Sequence, residues 1–526
     1  MKPSELPQVD LAIIGGGING AGLAAQAAQS GLSVALFEKG DFASGTSSKS
    51  TKLLHGGIRY LEQYRFGLVF EGLHERQRLL RMAPHLARPI PFLLPVYKGD
   101  VRPPWMLKLG LWLYDLLAGT QNIAKHQWFS PIEALKKAPT LNPQGLKGCG
   151  LYFDAQVNDA RMVWENILAA QEAGAHCFNY CRVAQIDKEP GFLRVFGQDE
   201  RTGESWAVKT SCLVNASGPW ANQTAQMVST DNLKLVRPTR GTHIVVPEVI
   251  PQHAVLITTR KDDRVIFVIP WRGYSLVGTT DLDDPEDPDK TQPTEEEIQY
   301  LLNEAARIFP GANWDRDQVL SAFAGLRPLA WTDRGHASSV SREDRILQEG
   351  NLLNIVGGKL TTYHAMATKA LSLALKVVGK VSKGIPSNNL PGTPDTNWNS
   401  FLETSIPQWV STYKVTQAQA LQLAHLYGRR APQVLELLNE NKAWGKPLDP
   451  ERPELVAQVV FAVRTEEALH LEDVMLRRLE IGYSPQRWGE ASKTASQVMA
   501  KLLGWSEETR NKELERYRQS LYPAPS

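Results

Sequence analysis

The chain has 526 residues, 42% of them hydrophobic, enough for a sizeable core and two or three domains. Lys and Arg number 58 against 56 Asp and Glu, so no global charge attracts nucleic acid and any anion site must be local. Cys149, Cys177, Cys181 and Cys212 show no CxxC spacing and the chain opens on MKPSELPQVD, a pattern that predicts reduced buried thiols and no signal peptide.

In chain order, Val9–Ile14 is a β-branched run entering Gly15, Ile18–Ser30 a small-residue helical pattern closed by Gly31, and Ser33–Phe37 a second strand ending in Glu38. This predicts a β-α-β unit. At its turn, Gly15-x-Gly17-x-x-Gly20 lets the backbone approach a pyrophosphate and aim a helix N-terminus at its charge. Glu38 is placed to accept hydrogen bonds from an adenosine ribose.

Helices are predicted around Leu68–Met82, Leu107–Leu117 and Asp159–Ala173. The second lies in PPWMLKLGLWLYDLLAG, Pro103 to Gly119, which falls short of the roughly 20 apolar residues that span a bilayer. It reads either as a packed helix or as one lying in the plane of a membrane surface. From about Cys177, segments such as LRVFG, SWAVKTSCLVNASG, GTHIVVP, AVLITT, RVIFVIPW and YSLVGTTD alternate like the strands of a largely antiparallel sheet. The acidic run DDPEDPDKT reads as a solvated loop. Thr294–Ile308 returns to helix, and NLLNIVGGKLTTYHAMATKALSLALKVV reads as strand, glycine turn and long helix. Ser382–Ser400 is rich in Pro, Gly, Ser and Asn and reads as a linker. The remainder reads as all-α, ending in a frayed NKELERYRQSLYPAPS.

A nicotinamide enzyme of this kind keeps its cofactor site within one contiguous first domain. Here a second element, Gly357-Gly358-Lys359-Leu360-Thr361-Thr362, precedes a helix far downstream, which favours FAD. The first element would hold adenosine and pyrophosphate, and the second would bring amides and a helix N-terminus toward the flavin ring. NASGPWA, with Ser217 and Gly218, ends a strand as though the chain returned to the cofactor. The expected architecture is an α/β FAD-binding Rossmann-like domain interleaved with a mainly antiparallel β-sheet substrate domain, plus an all-α C-terminal domain. The oxidoreductase region spans 8–381, its substrate part mainly about 75–150 and 220–335, followed by a linker over 382–400 and helices over 401–520.

VDLAIIGGGINGAG, SSKSTKLLHGGIRYLE, LVNASGPW, GTHIVVP, LVGTTD, GLRPL and VGGKLTTYH follow one another in an order that resembles the FAD-dependent glycerol-3-phosphate dehydrogenases from Val9 to about Ala367. TEEALHLEDVMLRR, Thr465 to Arg478, resembles that family's C-terminal domain. The resemblance implies oxidation of sn-glycerol 3-phosphate to dihydroxyacetone phosphate, with electrons passing through FAD to a membrane quinone in the respiratory chain.

That chemistry needs a proton acceptor, a hydride acceptor and cations for a dianionic phosphate. His243 and His55 are the candidate bases, both placed near the cofactor by the family motifs; His243 is favoured and His55 assigned to the flavin-facing site, with the choice between them open. Arg327 and Arg342 are candidate phosphate ligands, Arg327 on what reads as a fixed loop between a glycine and a proline. Arg59, Tyr60 and Lys359 support the substrate, and Lys359 also serves the flavin edge. The expected cofactor contacts are Gly15, Gly17, Asn19, Gly20, Glu38, Thr46, Ser47, Ser48, His55, Gly56, Gly57, Ser217, Gly218, Gly357, Gly358, Lys359, Leu360, Thr361 and Thr362.

Quinone reduction requires contact with a bilayer, so Trp105, Trp112 and Lys108 are expected at the cytoplasmic membrane surface, with no transmembrane helix. No metal and no nucleic acid are expected, and a homodimer stays open. The rival readings are an oxygen-using glycerol-3-phosphate oxidase, an amine or amino-acid oxidase of the same fold, and a nucleotide-sensing interaction protein.

Overall fold

The computed structural model describes residues 2–6, 8–228, 234–260, 262–331, 344–384, 387 and 389–523. The first sheet runs in the order Arg345–Glu349, Leu352–Val356, Ser205–Asn215, Gln8–Ile14, Val34–Phe37 and His176–Phe178. Arg345–Glu349 pairs antiparallel with Leu352–Val356, and the other four pairings are parallel. A hairpin, Cys181–Glu189 and Phe192–Asp199, extends it antiparallel from Ser205–Asn215. Helix Ile18–Gln29 is buried on nearly every face, which explains why its sequence is small residues rather than an amphipathic stripe. It packs against helices Asp159–Glu172 and Tyr363–Val378. A Cβ on Gly22 would stand 2.7 Å from the Tyr363 ring, so this glycine sets how closely the latter helix approaches.

The second sheet is mainly antiparallel. Its strand Val236–Pro247 pairs with Tyr274–Gly278 and along its length with Ser321–Ala330. The order continues through Val265–Trp271, Ala254–Thr258, Ala87–Tyr97 and Leu146–Val157 to Leu53–Leu54. Ala87–Tyr97 carries Pro89, Pro91 and Pro95, which hides it from strand reading. The prolines occupy alternate positions, so the N–H groups they lack all belong to one edge, and the strand still pairs along its length with Leu146–Val157. The third domain is a helical bundle from Trp398 to Ser520 with its own core.

Three expectations are corrected. The segment read as a linker is partly packed: Leu390 and Thr393 are buried, and the Gly392 N–H donates to Glu165 Oε2 at 2.7 Å. The tail read as frayed is anchored because Tyr517 and Leu521, one helical turn apart, both point into the core. Tyr522 continues the anchor, its hydroxyl donating to Glu295 Oε1 (2.6 Å) and its carbonyl accepting from the Ala322 N–H (2.7 Å). The acidic run is not wholly solvated either, since Asp284 is buried against Arg240 at 2.9 Å.

Candidate active site

Strand Gln8–Ile14 delivers the chain to Gly15, whose φ of +111° only glycine adopts readily. A Cβ there would lie 2.6 Å from the Ala216 carbonyl oxygen, at the end of the neighbouring strand. Gly17 opens helix Ile18–Gln29, and the Ile18 N–H donates to Ser47 Oγ at 3.0 Å. Ser47 therefore accepts at the helix N-terminus and keeps its hydroxyl proton for a ligand. Glu38 accepts from the Gly16 N–H (2.7 Å) and the Gly40 N–H (2.9 Å), and burial pushes its carboxyl above the usual range.

Gly357 and Gly358, at φ +83° and +114°, end strand Leu352–Val356. A Cβ on Gly358 would lie 2.5 Å from Asn19 Nδ2. The two glycine turns thus meet at one helix N-terminus, although most of the chain separates them in sequence.

Three cavities follow from this junction. One of about 250 Å³ runs over Gly15, Gly17, Asn19, Glu38, Ser47 and Ser217 to Gly357–Leu360, with Gly218 also on its wall. A second, about 170 Å³, shares Thr46, Ser50, Pro328 and Gly357–Leu360 with it and adds His55, His243, Arg327 and Thr361. The third, about 130 Å³, shares His55, Tyr60 and Arg327 with the second and adds Gly57, Arg59 and Asp281. A larger cleft of about 1010 Å³ lies where the loop after Glu38, residues 321–326 of the second sheet and the helical domain meet. It contains neither histidine and only the outer edge of the first glycine unit, so the chemistry belongs to the smaller cavities.

His243 is buried, with Nε2 3.0 Å from Thr51 Oγ1 and its ring stacked on Phe323 at 5.0 Å. Its Nδ1 is buried without a hydrogen-bond partner among the described residues. Burial, then the charges of Arg327 and Lys52, hold the imidazole well below its ordinary 6.5, so it is neutral at physiological pH. Arg327 sits in strand Ser321–Ala330, not on a loop, and donates to Thr279 Oγ1 (2.9 Å), the Thr280 carbonyl (3.1 Å) and Asp281 Oδ1 (3.1 Å). Lys359 Nζ lies 4.2 Å above the Tyr60 ring, and the His55 N–H donates to Thr361 Oγ1 at 3.1 Å.

Four expected contacts face elsewhere. Gly20 packs beneath the turn, where a Cβ would be 2.0 Å from the Gly15 carbonyl oxygen. Ser48 is buried, with its carbonyl bound by Lys52 Nζ at 2.9 Å. Gly56 makes room for Leu73 and Tyr114, and its N–H donates to the Tyr114 hydroxyl at 3.0 Å. The Thr362 hydroxyl donates to Asp344 Oδ2 at 3.2 Å. Arg342 lies outside the described residues. Sequence reading overlooked Thr51, which holds His243, and Asp281, which holds Arg327. Both lie inside motifs already singled out, but nothing in a linear motif tells which side chain turns inward.

Comparison with known proteins gives the site its context. The family described as FAD dependent oxidoreductase matches residues 10–367, and the C-terminal domain of alpha-glycerophosphate oxidase matches residues 388–510. A glycerol-3-phosphate dehydrogenase of Synechocystis sp. is 36% identical over 537 residues, covering 97% of this chain and 96% of that protein. The chain belongs to the FAD-dependent glycerol-3-phosphate dehydrogenase family. A mitochondrial member from Macaca fascicularis is 35% identical, over 98% of this chain and 73% of its own length. The solved structure of the Bacillus halodurans dehydrogenase complexed with FAD superposes with a TM-score of 0.81 at 27% identity, covering 98% of this chain and 95% of its own.

FAD is therefore the cofactor of this family member, and its residues fit that group. Asn19 Oδ1 is a buried acceptor without a hydrogen-bond partner among the described residues, at the junction of the two glycine turns. A side chain at Gly15 would meet the backbone of Ala216 and Ser217, and one at Gly358 would meet Asn19 of the first turn. Gly15, Gly17, Asn19, Glu38 and Ser47 would hold the nucleotide half, and Gly357–Thr361 with His55 the half that reacts.

Proposed function

We propose that the protein oxidises sn-glycerol 3-phosphate to dihydroxyacetone phosphate and passes the electrons to a quinone at a membrane surface. The observation that carries this reading is the meeting of a neutral, buried His243 and a fixed Arg327 in a cavity continuous with the glycine-turn junction. Bound FAD supplies the hydride acceptor. His243, its ring set by Thr51 and Phe323, takes the proton of the substrate hydroxyl. His55 lines the same cavity beside the second glycine turn and helps shape the flavin-facing wall. Arg327, aimed by Thr279 and Asp281, binds the phosphate with help from Arg59, Tyr60, Lys359 and Arg342. Arg327→Ala is expected to raise KM for glycerol 3-phosphate by about 10- to 100-fold, the equivalent of one lost charge-assisted contact, with a smaller change in kcat. Steady-state kinetics check this.

The membrane reading is supported by helix Pro104–Ala118. Trp105, Leu109, Trp112 and Leu116 recur at spacings of one turn and are all more than half exposed, while Leu111, Tyr114 and Ala118 are buried. Lys108 turns back over the Trp128 ring at 5.0 Å. Among the described residues no helix is long and apolar enough to cross a membrane, so contact here would be in-plane. Replacing Trp105 and Trp112 together by serine is expected to weaken binding to anionic lipid vesicles about tenfold or more while sparing turnover with a soluble dye acceptor; vesicle sedimentation measures it.

The match of the helical domain to an oxidase C-terminal domain supports a second reading, in which oxygen is the acceptor. Aerobic turnover without added quinone, scored by peroxide, tests it. Rapid turnover that requires a quinone analogue favours the first reading, and stoichiometric peroxide the second.

A further inference from the structure

The helical domain contributes no residue to the second or third cavity, yet it reaches the back of their wall. Lys52 is fully buried, and its Nζ lies 2.6 Å from Asp159 Oδ1, 2.9 Å from the Ser48 carbonyl and 3.1 Å from Glu480 Oε1. Trp271, Phe323 and Tyr483 surround this ammonium at 5.6 to 5.8 Å. Lys52 and Glu480 both hold left-handed backbone, φ +59° and +57°, a conformation that non-glycine residues adopt only where surrounding contacts hold it. Glu480 follows the π-helix Asp473–Arg478, whose Arg478 clamps Asp41 of the first domain at 2.8 and 2.9 Å.

Ser50 Oγ donates to the other oxygen of the same carboxylate, Asp159 Oδ2, at 2.6 Å and accepts from the Lys52 N–H at 3.0 Å. Residues 48–52 are thus pinned from behind, and Thr51 is the side chain that projects from them onto His243. Phe323, stacked on His243, also touches Tyr483 of the helical domain at 5.2 Å between ring centres. Both supports of the imidazole therefore end on the segment around residues 480–483.

We propose that Glu480 of the helical domain is a positioning residue for His243, acting through Lys52 and Thr51. The inference rests on the reading of His243 as the base. Glu480 holds the loop by the ammonium, the loop holds Thr51, and Thr51 sets the imidazole relative to the bound substrate. A buried ion pair adds little net stability compared with an apolar replacement, so its value here is the fixed geometry. This gives the C-terminal domain a role in the reaction although it touches none of the reacting groups.

The test uses the holoenzyme, with wild-type turnover of glycerol 3-phosphate as control; if the wild type does not turn over, the proposed function has failed rather than this relay. Glu480→Gln and Thr51→Val are each expected to lower kcat about tenfold, with KM within about twofold and flavin content unchanged. Thr51→Ser, which keeps the hydroxyl, is expected to restore kcat. The double variant is expected to be no slower than the slower single one, since both break the same relay. Glu480→Asp keeps the buried charge but shortens its reach, and it replaces Glu480→Gln as the partner in the cycle if the latter does not fold. Wild-type kcat in a folded, flavin-loaded Glu480 variant overturns the proposal, as do losses that multiply in the double variant.

Discussion

Gly15→Ala is expected to purify with little or no flavin and to recover it only at high FAD concentration. Two independent costs fall on the substitution. The φ of +111° is outside the range that alanine tolerates, on the order of 1–3 kcal/mol, and the new Cβ would press 2.6 Å from the Ala216 carbonyl oxygen. Relief of that overlap costs a further 1–3 kcal/mol or so and moves the turn away from Ser217. If about 3 kcal/mol of the total falls on the binding-competent turn, FAD affinity drops roughly a hundredfold. The ratio of flavin to protein absorbance after gel filtration, and a melting curve with and without added FAD, measure the effect. Gly16, one residue on, is a poor substitute test because its Cβ would meet side-chain atoms of Phe42 and Glu38 instead of backbone.

His243→Gln is expected to lower kcat about 10²- to 10⁴-fold while retaining FAD, the range for loss of a positioned proton acceptor. His55→Gln is expected to cost less, because His55 is only half-buried and lies at the junction of two cavities. The electrostatics add a pH signature. Burial holds the folded-state pKa of His243 below its ordinary 6.5, so in the interval between the two values the unfolded chain binds the extra proton. The contribution of the neutral imidazole to stability is therefore complete above about pH 6.5 and is lost as pH falls below it. Melting temperature followed from pH 7.5 down to about 5 is expected to fall less steeply in His243→Gln than in the wild type. Equal slopes would mean that folding does not lower the pKa of this imidazole.

The parts of this molecule that were legible in its sequence are those whose chemistry is local. The turn at Gly15–Gly20, the acid at Glu38 and the second turn at Gly357–Gly358 each follow from what a short stretch of backbone can do, and the structure joins the two turns at Asn19. Direction was not legible. Ser47 and Ser48 are adjacent and chemically identical, yet one caps a helix at the cavity and the other is buried behind it, because the loop is pinned from the rear by Lys52. Gly56 and Gly57 divide in the same way: Gly57, at φ +75°, turns the chain at the third cavity, while Gly56 serves packing against Tyr114. Nor were long-range anchors visible. Tyr517, Tyr522 and Thr393 look like tail and linker residues until their partners arrive from Arg487, Glu295 and Met82. The proline-rich strand Ala87–Tyr97 failed to register because its lost N–H groups are tolerated on one edge, which alternation of side chains alone does not reveal.

The central claim is that one cavity system brings a glycerol 3-phosphate site to the reactive end of bound FAD. Anaerobic addition of glycerol 3-phosphate to the FAD-loaded wild type, followed in the visible spectrum, tests it most directly. The flavin band is expected to bleach within the mixing experiment, with dihydroxyacetone phosphate formed in equal amount and the bleaching slowed at least a hundredfold in His243→Gln. A yellow, folded protein whose spectrum stays unchanged at saturating glycerol 3-phosphate would contradict the account.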